Sequence, residues 1–197
     1  LWHHVPARDG PDRGCSPCPG NTYAATKAAA DLALGAMARE GLRVIRMRPF
    51  NHTGPGQSPD FVVPAFASQI ARIAKGLQKP EISVGNLDAQ RDFLDVRDVC
   101  DAYLDVLTAK KPLTPGTILN VCSGETRSIR SILDDLLTIS GINAEIVTDP
   151  DRLRPSDIPV ARGDATLITS TLGWRRQIAW EDTLRDVYED CMRKTAT

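Results

Sequence analysis

The chain has 197 residues, 24 Lys and Arg against 25 Asp and Glu, a formal net charge of -1, and 42% hydrophobic residues. This is the arithmetic of a globular chain with a real core; it excludes disorder, collagen-like repeats and the basic footprint that nucleic acid or an anionic membrane usually requires. No apolar run approaches the roughly 20 residues of a membrane span and the start has no signal-peptide core, so the expected partners are small molecules or protein and the expected compartment is the cytoplasm.

Residues 1–20 carry Pro6, Gly10, Pro11, Gly14, Pro17, Pro19 and Gly20 and read as an irregular leader. The five cysteines are an odd, scattered set that fits reduced thiols. Cys15-Ser16-Pro17-Cys18 lacks the second ligand pair a zinc site wants, so no metal is expected. Asn21-Thr22 caps a helix from Tyr23 to Glu40, which Gly41 ends. Arg43 to Arg48 reads as a strand ending at Pro49, and Asn51 to Asp60 is turn chemistry throughout. Helical spacing returns from Val62 to Lys75, stopped by Gly76, and short strands follow at Glu81–Val84 and Asp92–Val96.

Asp98 to Ala109 is an amphipathic helix expected to turn Val99, Ala102, Tyr103, Val106 and Leu107 inward. Thr117 to Val121 is a strand, Ser128 to Ser140 a helix ended by Gly141, and Ala144 to Val147 a strand. Asp149 to Pro159 reads as a Pro/Arg-rich loop. Helices at Ala165–Leu172 and Trp180–Lys194 close the chain, with Trp174 and Trp180 expected in the core. Alternating strand and helix predict an α/β fold. Nowhere do the glycines give the strand, glycine-rich turn and helix that cradle a dinucleotide.

Tyr23 and Lys27 are four residues apart near a helix start, so a phenol and an ammonium share one face. A nearby cation favours the phenolate, a physical route to acid/base work on a carbonyl or alcohol oxygen. Taken alone, the pair also fits an exposed surface pair. Its surroundings are more specific. Asn21-Thr22-Tyr23-Ala24-Ala25-Thr26-Lys27-Ala28-Ala29-Ala30-Asp31 resembles the active-site helix of the extended short-chain dehydrogenase/reductases, the NAD-dependent epimerase/dehydratase family. Arg48-Pro49-Phe50-Asn51-His52-Thr53-Gly54-Pro55-Gly56-Gln57 resembles their next strand and loop. The segments from Val84 to Val99, Asn120 to Gly124 and Asp149 to Asp157 are similar to the GDP-sugar branch.

The resemblance implies the C-terminal portion of a Rossmann-type parallel sheet with a small substrate-binding subdomain, the latter built from Asn51–Asn86 and Leu119–Asp164. It implies that Tyr23 is the general acid toward the C4 oxygen of a keto-sugar, with Lys27 beside it on the nicotinamide ribose and Pro49 and His52 lining the NADP or NAD site. Asn51, the backbone at Val62, Arg91, Arg154 and Asp157 are then the contacts to a GDP-sugar. Arginine forks suit diphosphate oxygens, and a carboxylate accepts from ribose or guanine. The loop Asn51-His52-Thr53-Gly54-Pro55-Gly56-Gln57 reads as in reductases of GDP-4-dehydro-6-deoxy-D-mannose. Dehydratases have an Asn-His-Glu-Ser-Pro-Arg-Arg-Gly-like loop there. Dehydration of GDP-mannose, epimerase activity and a non-catalytic GDP-sugar-binding remnant are the alternatives.

In the family, a Ser or Thr of the triad and a glycine-turn half precede the Tyr. Residues 1–20 do not resemble them, so the expectation is a truncated chain with an incomplete cofactor site, either still a reductase or inactive. The apolar faces of the helices from Tyr23 and Asp98 are expected to allow a homodimer.

Overall fold

The computed structural model describes residues 22–152 and 158–195. Helix α1 (Thr22–Arg39) is Ala-rich and closes at Gly41, whose φ of 105° is a value glycine tolerates, with Leu42 N donating to the Met37 carbonyl at 2.9 Å. The chain returns as β1 (Arg46–Pro49), which pairs in parallel with β6 (Ile118–Val121), Arg46 opposite Ile118. The strand begins three residues later than expected from Arg43, with its register starting at Arg46 opposite Ile118. Buried Asp31 of α1 accepts from Arg46 and Arg48 of β1 at 2.9 and 2.8 Å, and Gly35 makes room for the Arg46 guanidinium.

One residue after β1, the strand β2 (Asn51–Thr53) pairs in parallel with β5 (Phe93–Asp95), Asn51 opposite Phe93. This corrects the reading of Asn51–Asp60 as loop throughout: the ladder with β5, not local propensity, makes the first three residues extended.

Alternate residues of β5 face two cores. Phe93 enters the first, where α2 (Val62–Ala74), α4 (Ile129–Ser140) and α6 (Trp180–Lys194) pack on β3 (Glu81–Val84), which runs parallel to β8 (Glu145–Thr148). Ile70, Ile132, Leu133, Leu136 and Leu184 are fully buried there, each contributing roughly 1.5–3 kcal/mol by removal from water. Leu94 enters the second core, with α3 (Val96–Leu107), β1, β6, α5 (Thr166–Leu172) and Trp174. Leu119 and Val121, expected in the subdomain, lie in this second core. Trp174 and Trp180 are buried as expected. On α3, Val99 and Ala102 are buried and Val106 partly so. Tyr103 and Leu107, expected inward, are 44% and 81% exposed, because they fall on the next stripe round the helix.

A small sheet orders β7 (Arg127–Ser128), β4 (Gln90–Arg91) and β9 (Val160–Ala161), with β4 antiparallel to β7 and parallel to β9. Two-residue strands carry no periodicity to read. The expected loop after Asp149 contains a 3-10 turn, Pro150–Arg152. Among the described residues no helix is long and apolar enough to cross a membrane.

Candidate active site

Tyr23 and Lys27 occupy the first two turns of α1, both exposed, with Lys27 Nζ 5.5 Å from the centre of the Tyr23 ring. Their position relative to the sheet follows from the way α1 and β1 cross. Gly35 lies against Arg46, and Asp31 holds both Arg46 and Arg48, so moving toward the start of α1 means moving toward the end of β1. The eight residues from Asp31 back to Tyr23 rise about 12 Å along the helix. The three from Arg48 to Asn51 advance about 10 Å along the strand. The phenol and the ammonium therefore stand at the carboxyl end of β1, where β2 begins. In open α/β sheets that end is where ligands bind.

Pro49 closes β1, and Asn51 and His52 open β2; all three are half-buried. His52 Nδ1 lies 2.9 Å from the Phe50 carbonyl oxygen. A carbonyl only accepts, so Nδ1 carries the proton and Nε2 is the nitrogen left to a ligand. After His52 the chain is bracketed: Thr53 Oγ1 donates to Gln57 Oε1 at 2.7 Å, and Gln57 Nε2 donates to the His52 carbonyl at 3.2 Å.

Val62 is the first residue of α2, and its cap residue Phe61 supplies no side-chain acceptor to the helix's first N–H groups. Arg91 precedes Phe93, the register partner of Asn51, by two residues, and its Nη1 donates to the carbonyls of Gln90 and Ile158 at 2.8 and 2.6 Å. Arg91 thus grips the chain where it re-enters the sheet at β9. Arg154 and Asp157 lie outside the described residues, as do Cys15 and Cys18. Among the described residues no group of His, Cys, Asp and Glu is arranged to hold a metal ion.

Sequence reasoning missed the role of three buried aspartates spaced by three. Asp92 accepts from Ser123 N and Oγ and from the N–H groups of Gly124 and Gly163, at 2.7–3.2 Å. Asp95 caps α3 and accepts from Arg97 and from Thr183 of α6. Burial alone would raise the Asp95 carboxyl, but the Arg97 and Thr183 hydrogen bonds outweigh it and hold it below the usual carboxylate range. Asp98 accepts from the N–H groups of Gln177 and Ile178. The spacing was visible; the donors that fill Asp92 and Asp98 come from 31 or more residues further along, and the Thr183 hydroxyl on Asp95 from 88, and these were not. Burial, with Asp92 and Asp164 nearby, pushes the Cys122 thiol up to about 12, so it is no nucleophile.

Comparisons with known proteins identify the family and the fold. The family model for GDP-mannose 4,6 dehydratase matches residues 16–187. The chain is 42% identical over 175 residues to the GDP-6-deoxy-D-mannose reductase of Pseudomonas aeruginosa, covering 88% of this chain and 57% of that protein. It is 28% identical to GDP-mannose 4,6 dehydratase 2 of Arabidopsis thaliana, covering 87% of this chain and 46% of that one. Among solved structures, RMD from Pseudomonas aeruginosa complexed with NADPH superposes with a TM-score of 0.86 at 36% identity, covering 98% of this chain and 63% of that chain. The chain thus spans about half the length of the curated relatives it matches.

Proposed function

The chain belongs to the GDP-mannose 4,6-dehydratase family, and from that premise we propose that it carries the acid/base pair and the sugar-nucleotide grip of an NAD(P)-dependent oxidoreductase that reduces the 4-keto group of GDP-4-dehydro-6-deoxy-D-mannose. What supports the reading is the docking of α1 on β1 through Asp31, Arg46 and Arg48, which runs the start of α1, with the Tyr23–Lys27 pair, toward the end of β1 that Asn51 and His52 follow.

The residues present fit a nicotinamide cofactor's ribose end. A phenol and an ammonium project side by side, and the His52 ring holds its Nδ1 proton inward on Phe50. When bound, that cofactor supplies hydride to the sugar's C4. Tyr23 holds a proton at Oη for the C4 oxygen, and Lys27, 5.5 Å from its ring, attracts the negative charge the phenol acquires when that proton leaves. Asn51 and the uncapped N–H groups at Val62 orient the sugar. Arg91 and Arg154 take the diphosphate, and Asp157 accepts from the nucleoside. A GDP-sugar is the small-molecule partner, and a homodimer through α1 and α3 remains part of the proposal.

Reduction is favoured over dehydration by the loop's packing. A Cβ on Gly54 would meet Val96 Cγ1 at 2.6 Å, so the serine of a dehydratase-like loop has no room there, and Thr53 is buried where such a loop has glutamate. The test is NADPH consumption with GDP-4-dehydro-6-deoxy-D-mannose. Tyr23→Phe is expected to lower turnover by about 10²–10⁴-fold with little change in GDP-mannose binding. Equal turnover by wild type and Tyr23→Phe overturns the assignment.

A further inference from the structure

The segment that carries Asn51 and His52 is held from outside its own strand. Beyond Thr53 the chain turns through Gly54, pressed against Val96 of α3, and Gly56, whose φ is 89°. The Gly56 N–H donates to Asp190 Oδ2 of α6 at 2.9 Å, a tether across 134 positions. Asp190 is itself steadied by Lys194, whose Nζ is 2.6 Å from the same oxygen, and by Arg193, and its side chain is only 17% exposed. Inside the turn, the Gln57 amide has both ends engaged, its oxygen by the buried Thr53 hydroxyl and its nitrogen by the His52 carbonyl.

We propose that Gln57 and Asp190 are positioning residues that together fix the Asn51–Gln57 segment and, through it, the direction in which the His52 imidazole presents Nε2. Neither touches the face where Tyr23 stands; both act through the backbone of β2. The chain of contacts is continuous: α6 holds Gly56, Gln57 holds the carbonyl of His52, and the Phe50 carbonyl holds the ring's Nδ1 proton. If that backbone loosens, the Nδ1–H bond to Phe50 loses its geometry and the imidazole is free to exchange tautomers. On the reading given under Proposed function, on which this part rests, the consequence for GDP-sugar binding falls on the sugar end, which is assigned to Asn51 of the same segment, and not on the nucleotide end.

The experiment uses the full chain labelled with ¹⁵N histidine, with wild type compared to Gln57→Leu, Gln57→Glu, Asp190→Ala and Asp190→Asn. Gln57→Glu keeps an acceptor for Thr53 and removes only the donor to His52, so it serves if Gln57→Leu does not fold. Wild type is expected to show a protected Nδ1–H for His52. Gln57→Glu and Asp190→Ala are expected to lose that protection and average the two ring nitrogens, and Asp190→Asn, which keeps a carbonyl oxygen for Gly56, to restore it. Unchanged His52 resonances in Gln57→Glu and Asp190→Ala, with or without a lowered melting temperature, overturn the proposal.

Titration then separates it from the functional reading. The Kd for GDP-mannose is expected to rise about tenfold in the loosened variants, the equivalent of one good hydrogen bond, while that for GDP stays level. Parallel losses for both ligands contradict the positioning role. Failure of every variant and wild type to bind either ligand overturns the functional reading and leaves the His52 resonances to decide the positioning.

Discussion

Asp31 of α1 and Arg46 of β1 are joined twice through one nitrogen: Arg46 Nη1 donates to Asp31 Oδ2 at 2.9 Å and to the Asp31 carbonyl at 3.0 Å. Arg48 Nη2 completes the group on the same carboxylate at 2.8 Å. The side chains are 9–17% exposed, so removing the carboxylate leaves two half-buried cations facing each other. Asp31→Ala is expected to destabilise the fold by about 2–4 kcal/mol, below the full cost of breaking a buried pair because some solvent reaches the arginines. Urea unfolding checks it. A loss within a few tenths of a kcal/mol of zero contradicts the view that this group docks α1, and with it Tyr23 and Lys27, on the sheet.

Asp92 presents a different case, since its acceptors are filled by one hydroxyl and three backbone N–H groups. An asparagine there turns an NH₂ group toward N–H donors. Asp92→Asn is expected to cost about 2–4 kcal/mol despite its identical shape. The denaturant midpoint measures this, and an unchanged midpoint refutes the count of bonds.

Acid stability follows from three lowered carboxyls. Asp190 is lowered chiefly by the Lys194 ammonium, Asp149 chiefly by the Asp151 N–H, and Asp95 by Arg97 and Thr183 against its burial. A carboxyl whose folded value lies below its unfolded 3.8 contributes stability that is whole above about pH 4 and is lost as pH falls through the folded value. The urea midpoint owes no loss to these groups between about pH 7 and 5, and is expected to drop below about 4. A rise in stability on acidification through pH 4 contradicts the sign.

Thiol chemistry divides by burial. Cys122 and Cys191 are buried and both are raised, chiefly by desolvation, whereas Cys100 is exposed. Of the three cysteines among the described residues, brief iodoacetamide treatment of the native chain is expected to alkylate Cys100 and spare Cys122 and Cys191, as peptide mass spectrometry would show. Modification of Cys122 at a rate comparable with Cys100 contradicts its packing against Gly163.

The helices were legible because their signals are local. Apolar spacing marks α2, α4 and α6, and glycines stand where α1 and α4 end, with φ of 105° at Gly41 and 67° at Gly141. Strand β2 was hidden because Asn51-His52-Thr53 precedes Gly54-Pro55-Gly56 and reads as turn; its extension depends on β5, 42 residues away in register. The candidate site divides the same way. Tyr23, Lys27, Asn51 and His52 are visible as residue types in a motif, but what holds them is not. The grip of Asp190 on Gly56 and of Asp31 on Arg46 and Arg48 exists only once the chain has folded. Tyr103 and Leu107 were misread for want of knowing which stripe of α3 meets β2 and β5.

The proposed function requires a grip on a GDP-sugar. Calorimetric titration of the purified chain with GDP tests it most directly, with Arg154→Ala alongside. Saturable binding that Arg154→Ala weakens by about tenfold or more, as expected for a charge-assisted contact to phosphate, is the predicted result. No binding by the folded wild-type chain, or binding that Arg154→Ala leaves untouched, contradicts the account.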